Sequence, residues 1–138
     1  MALMRKSLPQ TDLLLTLMGA PHADDTLTDT LRLVQALLDS GTRVSVWACG
    51  YATLLTQRAL GECKPRNPAS WDTEYPSTAA IIATMLAAHP EHLYWYGCRF
   101  CSDDRGADDH LAEVVMRPPA RYAENVAAAG KTLVIGVM

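Results

Sequence analysis

The clearest evidence for the fold is the segment LLLTLMGAPHADDTLTDTLRLVQALLDSGTRVSVWACG, residues 13–50. Its first six residues form a continuous apolar run, which is typical of a strand covered on both faces. A helix follows, because apolar side chains recur at helical spacing at Leu27, Leu31, Val34, Leu37 and Leu38. Asp25 or Thr26 is expected to cap this helix, and Gly41 to end it. A second strand over residues 44–48 completes the unit, and its short connections favour a right-handed parallel pair.

The rest of the chain continues this alternation. Residues 51–60 favour a short helix. Residues 61–76 favour a long loop that is either functional or part of an interface, or else a disordered surface excursion. Trp71 and Tyr75 argue mildly against disorder, because such side chains are expected to be buried. Ser77 is expected to cap the next helix. Later segments are predicted as strands at 93–96 and 112–116, a helix at 118–129 that opens on two prolines, and a strand at 131–138. Such alternation predicts an α/β fold, in which helices cover a mostly parallel sheet.

Composition narrows the class of protein. The chain has 138 residues, which fits a single domain over residues 1–138. A net charge of −3 without a basic stripe argues against a nucleic-acid partner. No stretch approaches the ~18 apolar residues of a membrane span. The first apolar run follows Arg5 and Lys6 but is shorter than a signal-peptide core, so a cytoplasmic location is expected, where the four cysteines would be reduced.

A second stretch, HLYWYGCRFCSDDRG at residues 92–106, carries the predicted chemistry. The strand is expected to break at Gly97 and to give way to a polar turn or helix start, which would leave the sulfur atoms exposed. A helix amino end, Arg99 and Arg105 would lower the pKa of Cys98 and make it a nucleophile able to hold sulfur as a persulfide. Cys101 could resolve that persulfide, form a disulfide with Cys98, or simply pack. Free cysteines are also common as small buried hydrophobes, so inert thiols are the alternative.

Further candidates follow other strands of the sheet. In parallel sheets, ligand sites collect beyond the carboxyl ends of the strands, where Cys49 should join Cys98 and Cys101 at one edge. His22 follows the first strand and would be either a proton carrier or a solvated side chain beside the aspartates that cap the helix; the second interpretation is favoured. His110 is expected in a solvated turn.

Metal, redox and nucleotide sites are weaker interpretations. Cys98 and Cys101 form one C-x-x-C pair, but Cys49 and Cys63 are too far apart in sequence to form a second pair for zinc. A thioredoxin-like site is similarly disfavoured. Neither G-x-G-x-x-G nor G-K-[ST] occurs, so a nucleotide site has little support. No cofactor is therefore predicted.

Three motifs together resemble the DsrE/DsrF-like sulfur-relay family, which includes the TusD-type sulfurtransferase subunits. They are LMGAP at residues 17–21, GTRVSV at residues 41–46, and the spacing from Cys98 to Arg105 and Gly106. The resemblance implies a three-layer α/β/α sandwich with a five-stranded parallel sheet. It also implies a persulfide on Cys98, which is placed by its spacing from Gly106, with Cys101 as a second site residue.

The same resemblance implies a homo-oligomer, trimeric or hexameric, or a mixed assembly with related subunits, and sulfur donor and acceptor proteins as partners. The chain departs from the family pattern in its proline-rich loop 61–76 and in the acidic residues Asp103 and Asp104. The alternative function is an oligomeric, non-catalytic binding or scaffold protein.

Overall fold

A five-stranded sheet forms the centre of residues 7–136, the part of the chain that this computed structural model describes. Its strands are β1 (Thr11–Leu17), β2 (Val44–Ala48), β3 (Leu93–Cys98), β4 (Val115–Arg117) and β5 (Ala129–Ile135). They lie in the order β4-β3-β2-β1-β5, and each neighbouring pair is parallel. The predicted α/β class with a five-stranded parallel sheet is therefore confirmed.

Helices cover both faces of this sheet. Four α-helices occur within residues 7–136, namely α1 (Asp25–Asp39), α2 (Thr78–Ala88), α3 (Arg99–Asp104) and α4 (Tyr122–Ala127). The larger core lies under α1 and α2 and includes Leu15, Val46 and Trp95. On the opposite face, a smaller cluster of Leu14, Trp47, Tyr96 and Cys98 packs against Tyr122. Because successive strand residues point to opposite faces, neighbours such as Leu14 and Leu15 belong to different cores.

β3 continues beyond the predicted break at Gly97. Gly97 pairs with Met116 and Cys98 pairs with Arg117 of β4. A Cβ atom at Gly97 would lie 2.7 Å from the Met116 sulfur, so the glycine permits close approach of a neighbouring side chain. Cys98 is consequently the last residue of a buried strand and not part of an exposed turn.

Several predicted boundaries are wrong. The expected helix at 51–60 is two 3₁₀ segments, Gly50–Thr56 and Arg58–Leu60. The expected strand at 112–116 starts only at Val115, and the expected helix at 118–129 shortens to a 3₁₀ turn and α4. β5 starts two residues earlier than predicted, and residues 137 and 138 of the expected strand lie outside the described residues. Short elements at the sheet margin depend on tertiary packing, which residue preferences record poorly.

Two local predictions also need correction. Asp24, not Asp25 or Thr26, caps α1, because its carboxylate accepts the Thr26 N–H at 2.8 Å. Trp71 and Tyr75 are 61% and 53% exposed, not buried. Arg66 and Lys64 instead lie over these two rings, with distances to the ring centroids of 5.5 and 4.9 Å. Within residues 7–136, no helix has the length and apolar character needed to cross a bilayer.

Candidate functional site

Three thiols meet beyond the carboxyl ends of β2 and β3; we call Cys49, Cys98 and Cys101 the thiol cluster. Ala48 pairs with Gly97, so the next residues of the two strands, Cys49 and Cys98, come side by side on the face of the smaller core. Cys101 lies one helical turn further, in α3. The sulfur atoms of Cys49 and Cys101 are 3.8 Å apart. The structure thus brings together the three cysteines that the topology placed at one edge.

Exposure differs within the thiol cluster. Cys98 is only 2% exposed, whereas Cys49 and Cys101 are partly buried. The expectation of an exposed Cys98 sulfur is wrong, because β3 continues through Cys98 and turns its side chain towards Trp47 and Tyr96. Of the two cysteines in the C-x-x-C pair, Cys101 is therefore the more accessible.

Cys101 is the member of the thiol cluster whose pKa is lowered. Burial acts to raise its pKa, but the backbone N–H of Gly50, the thiols of Cys98 and Cys49, and the Arg105 guanidinium together lower that pKa below its ordinary value. Gly50 has a φ of +57°, a conformation that favours glycine, and the turn directs its amide towards the sulfur. Thiolate is the reactive form of cysteine, so these contacts favour reactivity at Cys101.

The other two thiols keep their protons. Burial, followed by the Cys101 charge and hydrogen bond, raises the pKa of Cys49 to about 11. Burial also raises the pKa of Cys98, although the amides of Cys101 and Phe100 act in the opposite direction. Of the three thiols, Cys101 is therefore the one that ionises most readily.

The two predicted arginines behave differently. Arg105 Nη1 donates to the carbonyl oxygen of Cys101 at 3.1 Å, and its guanidinium lies over the Tyr51 ring, 4.4 Å from the centroid. Arg99 is exposed to solvent. Gly106, with a φ of +62°, closes the turn after α3, and its N–H donates to Asp103 at 3.2 Å. Of the two arginines, Arg105 is the one whose charge lowers the pKa of Cys101.

A network centred on His110 holds the elements of the site together. His110 Nε2 lies 2.8 Å from Ser102 Oγ in α3, and Nδ1 lies 2.9 Å from both Thr56 Oγ1 and Gln57 Nε2 beside the first 3₁₀ segment. Burial lowers the pKa of His110 despite the nearby Asp108 and Asp109. The expected solvated turn is therefore wrong. Sequence spacing gave no sign of this network, because Thr56 and Gln57 are separated from His110 by 54 and 53 positions.

His22 and Cys63 form their hydrogen bonds with residues outside the thiol cluster. His22 Nε2 accepts the backbone N–H of Thr78 at 3.3 Å, at the start of α2, and burial followed by Lys64 lowers its pKa. Cys63 is exposed, and its thiol donates to Glu74 at 3.6 Å. Within residues 7–136, neither side chain forms a hydrogen bond with a sulfur atom of the thiol cluster. Within residues 7–136, no group of three or more His, Cys, Asp or Glu side chains could hold a metal ion.

Solved structures with similar architecture extend over most of the chain. The ychN protein from E. coli has a TM-score of 0.66 and 20% identity, and the match covers 90% of this chain and 98% of that protein. MTH1491 from Methanobacterium thermoautotrophicum, described as a protein of unknown function, has a TM-score of 0.60 and 11% identity, over 89% of this chain and 98% of that one. No protein-family model and no curated protein matches the sequence. At these identities the likeness shows the fold alone, which is the parallel α/β architecture that this chain shares with both proteins.

Proposed function

We propose that this protein carries sulfane sulfur as a persulfide, with Cys101 as the primary nucleophile. The observation that carries the proposal is the partly buried Cys101 thiol, whose lowered pKa results from an amide, two thiols and a guanidinium around one sulfur atom. The DsrE/YchN-like fold is compatible with a sulfur-relay role. The proposal moves the nucleophile from Cys98, which the family spacing suggested, to Cys101.

The proposed transfer needs no metal and no cofactor. The Cys101 thiolate attacks the outer sulfur of a donor persulfide, R–S–SH. A bond forms between Cys101 Sγ and that sulfur, the donor S–S bond breaks, and the donor leaves as the thiolate R–S⁻. Cys49 and Cys98 remain protonated and offer hydrogen bonds to the negative charge of the cluster. An acceptor thiolate then takes the outer sulfur by the same exchange in reverse.

The partners proposed for this exchange are a sulfur donor and a thiol acceptor. Free thiols are needed at both stages, so a reducing compartment such as the cytoplasm suits the reaction. A homo-oligomer, trimeric or hexameric, or a mixed assembly with related subunits, is part of the proposal. Exposed apolar side chains on the edge strand β5 support it.

Intact-mass measurement tests the proposed chemistry. Reduced protein is incubated without oxygen with a small-molecule persulfide donor and then separated from the donor. We expect one added sulfur atom on the wild type and on Cys63→Ser, a control that removes the exposed cysteine outside the cluster. Cys101→Ser should add none. Normal uptake by Cys101→Ser would overturn the assignment of the nucleophile.

A binding or scaffold protein with inert thiols is the second candidate. Burial and raised pKa values at Cys98 and Cys49 favour it for those two residues. Titration of the native protein with a chromogenic disulfide between pH 6 and pH 9 separates the candidates. A carrier has one fast cluster thiol at neutral pH, whereas inert thiols react only after denaturation.

A further inference from the structure

The contact between Cys49 and Cys101 makes a second reaction of the same site possible. Its sulfur lies 3.8 Å from the Cys101 sulfur, and both residues are partly buried at the same edge of the sheet. The two residues are separated by 52 positions and come from different elements, so the contact depends on the fold. The C-x-x-C spacing, in contrast, draws attention to Cys98 as the partner of Cys101.

We propose that Cys49 resolves the Cys101 persulfide, so that the protein releases sulfide and forms a Cys49–Cys101 disulfide. The inference rests on the proposed persulfide function and gives the same site a second reaction. The protein would pass sulfur to an acceptor thiol when one is bound and discharge it as sulfide when none is present.

The atoms and electrons of this step balance within the protein. The sulfur of Cys49 attacks the inner sulfur of the persulfide, Cys101 Sγ, and a Cys49–Cys101 bond forms. The bond between Cys101 Sγ and the outer sulfur breaks, and that sulfur leaves with the bonding pair and the Cys49 proton as hydrogen sulfide. The sulfane sulfur is reduced to sulfide while the two cysteines are oxidised. A dithiol reductant must then attack the disulfide before the site can carry sulfur again.

Position favours Cys49 over Cys98 as the resolving thiol. Cys98 is the last residue of β3 and is 2% exposed, with the amides of Phe100 and Cys101 beside its sulfur. Cys49 follows β2 in a short link to the 3₁₀ segment and is partly exposed, which gives the departing sulfide a route to solvent. Forming the disulfide requires the sulfur atoms to close from 3.8 Å to about 2.05 Å.

The protonation of Cys49 sets the pace of the step. The titratable groups that face it are Cys98 from β3 and Cys101 from α3, and the charged Arg105 lies beside the adjacent Gly50. With a pKa raised to about 11, mainly by burial, Cys49 is almost entirely protonated at neutral pH. We expect slow release there and faster release at higher pH, because only the thiolate attacks. The carrier would therefore retain sulfur long enough for transfer.

Sulfide release after loading tests the inference. Cys63→Ser protein is loaded with inorganic polysulfide, freed of excess reagent without oxygen, and followed at pH 7 to 9 for sulfide and for intact mass. We expect one sulfide per chain, loss of the added sulfur, and a disulfide that peptide mapping places between Cys49 and Cys101. The same protein with Cys49→Ser or Cys49→Ala should retain its persulfide. The matched Cys98→Ser variant should still release sulfide once loaded.

Each result bears on a separate claim. A persulfide that forms but persists in protein containing Cys49 overturns this inference and leaves the carrier function standing. A disulfide mapped to Cys98 and Cys101 also overturns it. Failure to load at all overturns the proposed function and this inference together. If both Cys49 variants release sulfide as fast as the Cys63→Ser protein, the role of Cys49 is overturned. The use of two substitutions guards against a folding defect in one of them.

Discussion

The lowered pKa of Cys101 depends on groups that converge from three parts of the chain. Gly50 brings an amide from the end of β2, Cys49 and Cys98 bring thiols, and Arg105 brings a positive charge after α3. No single contact explains the lowered pKa against the opposing effect of burial. The pKa of Cys101 therefore depends on how accurately the turn and the helix are held, and substitutions that move either should affect reactivity before they affect folding.

Arg105→Gln should slow the reaction of Cys101 with iodoacetamide at neutral pH. Loss of the guanidinium removes a nearby positive charge, so the pKa of Cys101 rises and the thiolate fraction falls. We expect a several-fold decrease in rate, with the midpoint of the pH–rate profile moved to higher pH. Arg99→Gln is the matched control, since Arg99 is exposed on the same short helix. Equal profiles for wild type and Arg105→Gln would contradict the electrostatic role.

The sequence identified the three cysteines that the fold brings together but not the differences in their burial. Strand periodicity places Cys49 and Cys98 on the same face, and that signal is present in the sequence. The burial of Cys98 could not be inferred, because it depends on how closely Gly97 packs against Met116 of β4. The contribution of the Gly50 amide to the Cys101 pKa could not be predicted either, because a backbone amide produces no side-chain pattern in the sequence.

At the scale of elements, the His110 network joins the helix that bears Cys101 to the segment that follows Cys49. The Asp109 N–H donates to Gln57 Oε1 at 3.4 Å, which orients the amide so that Gln57 Nε2 donates to His110 Nδ1. The ring proton is then on Nε2 and is donated to Ser102 Oγ, which donates to the Ala107 carbonyl oxygen. This arrangement requires a neutral imidazole.

Folding stability should fall as pH decreases from 7.5 to 5, in part through His110. Its pKa is lowered in the folded state, so the unfolded chain, with a pKa of about 6.5, binds the proton more readily and stability is lost as pH falls through that value. The loss ends below the folded pKa, where both states are protonated. Denaturant unfolding of His110→Gln should show a shallower pH dependence than the wild type.

His22 contributes in the same direction, because its pKa is also lowered. His22→Gln therefore serves as the comparison, and the two decreases in slope should add if the histidines act independently.

His110→Ala should lower the free energy of unfolding by about 1–3 kcal/mol at pH 7.5, since Thr56 and Ser102 are buried and would lose a partner. An unchanged pH dependence of stability in His110→Gln would show that burial does not lower the pKa of His110.

The start of α1 provides a test of the corrected helix boundary. Asp24→Ala should destabilise the protein by about 0.5–2 kcal/mol, because the Thr26 N–H loses the carboxylate that caps it. Asp25→Ala removes an equal charge one residue later, and only the weaker helix-dipole interaction of about 0.3–1 kcal/mol is lost. Urea unfolding of both variants gives the comparison. A larger loss in Asp25→Ala would restore the original expectation for the cap.

At the scale of the whole molecule, the alternation of strands and helices was enough to predict the sheet. Each long apolar run and each helical stripe agreed with one parallel α/β arrangement, which explains why the class was correct. The predictions for the short elements were wrong because α3, α4 and the 3₁₀ segments have six or seven residues at most, which is too few to show a hydrophobic period. These short elements form the layer that surrounds the thiol cluster, so the site was less predictable than the fold.

The edge strand β5 gives the oligomer proposal its sharpest test. β5 ends the strand order, and Leu133 and Val134 are 44% and 57% exposed on opposite faces of the strand. A long edge strand with exposed apolar side chains is a surface that proteins usually cover. We expect light scattering to give a mass above that of the monomer, and Val134→Lys to lower it because a charge would be buried in the contact. Thr28→Lys on the exposed side of α1 should leave the mass unchanged, with circular dichroism confirming that both variants fold. A monomeric wild type would contradict the proposal, and an unchanged mass in Val134→Lys would place the contact on another surface.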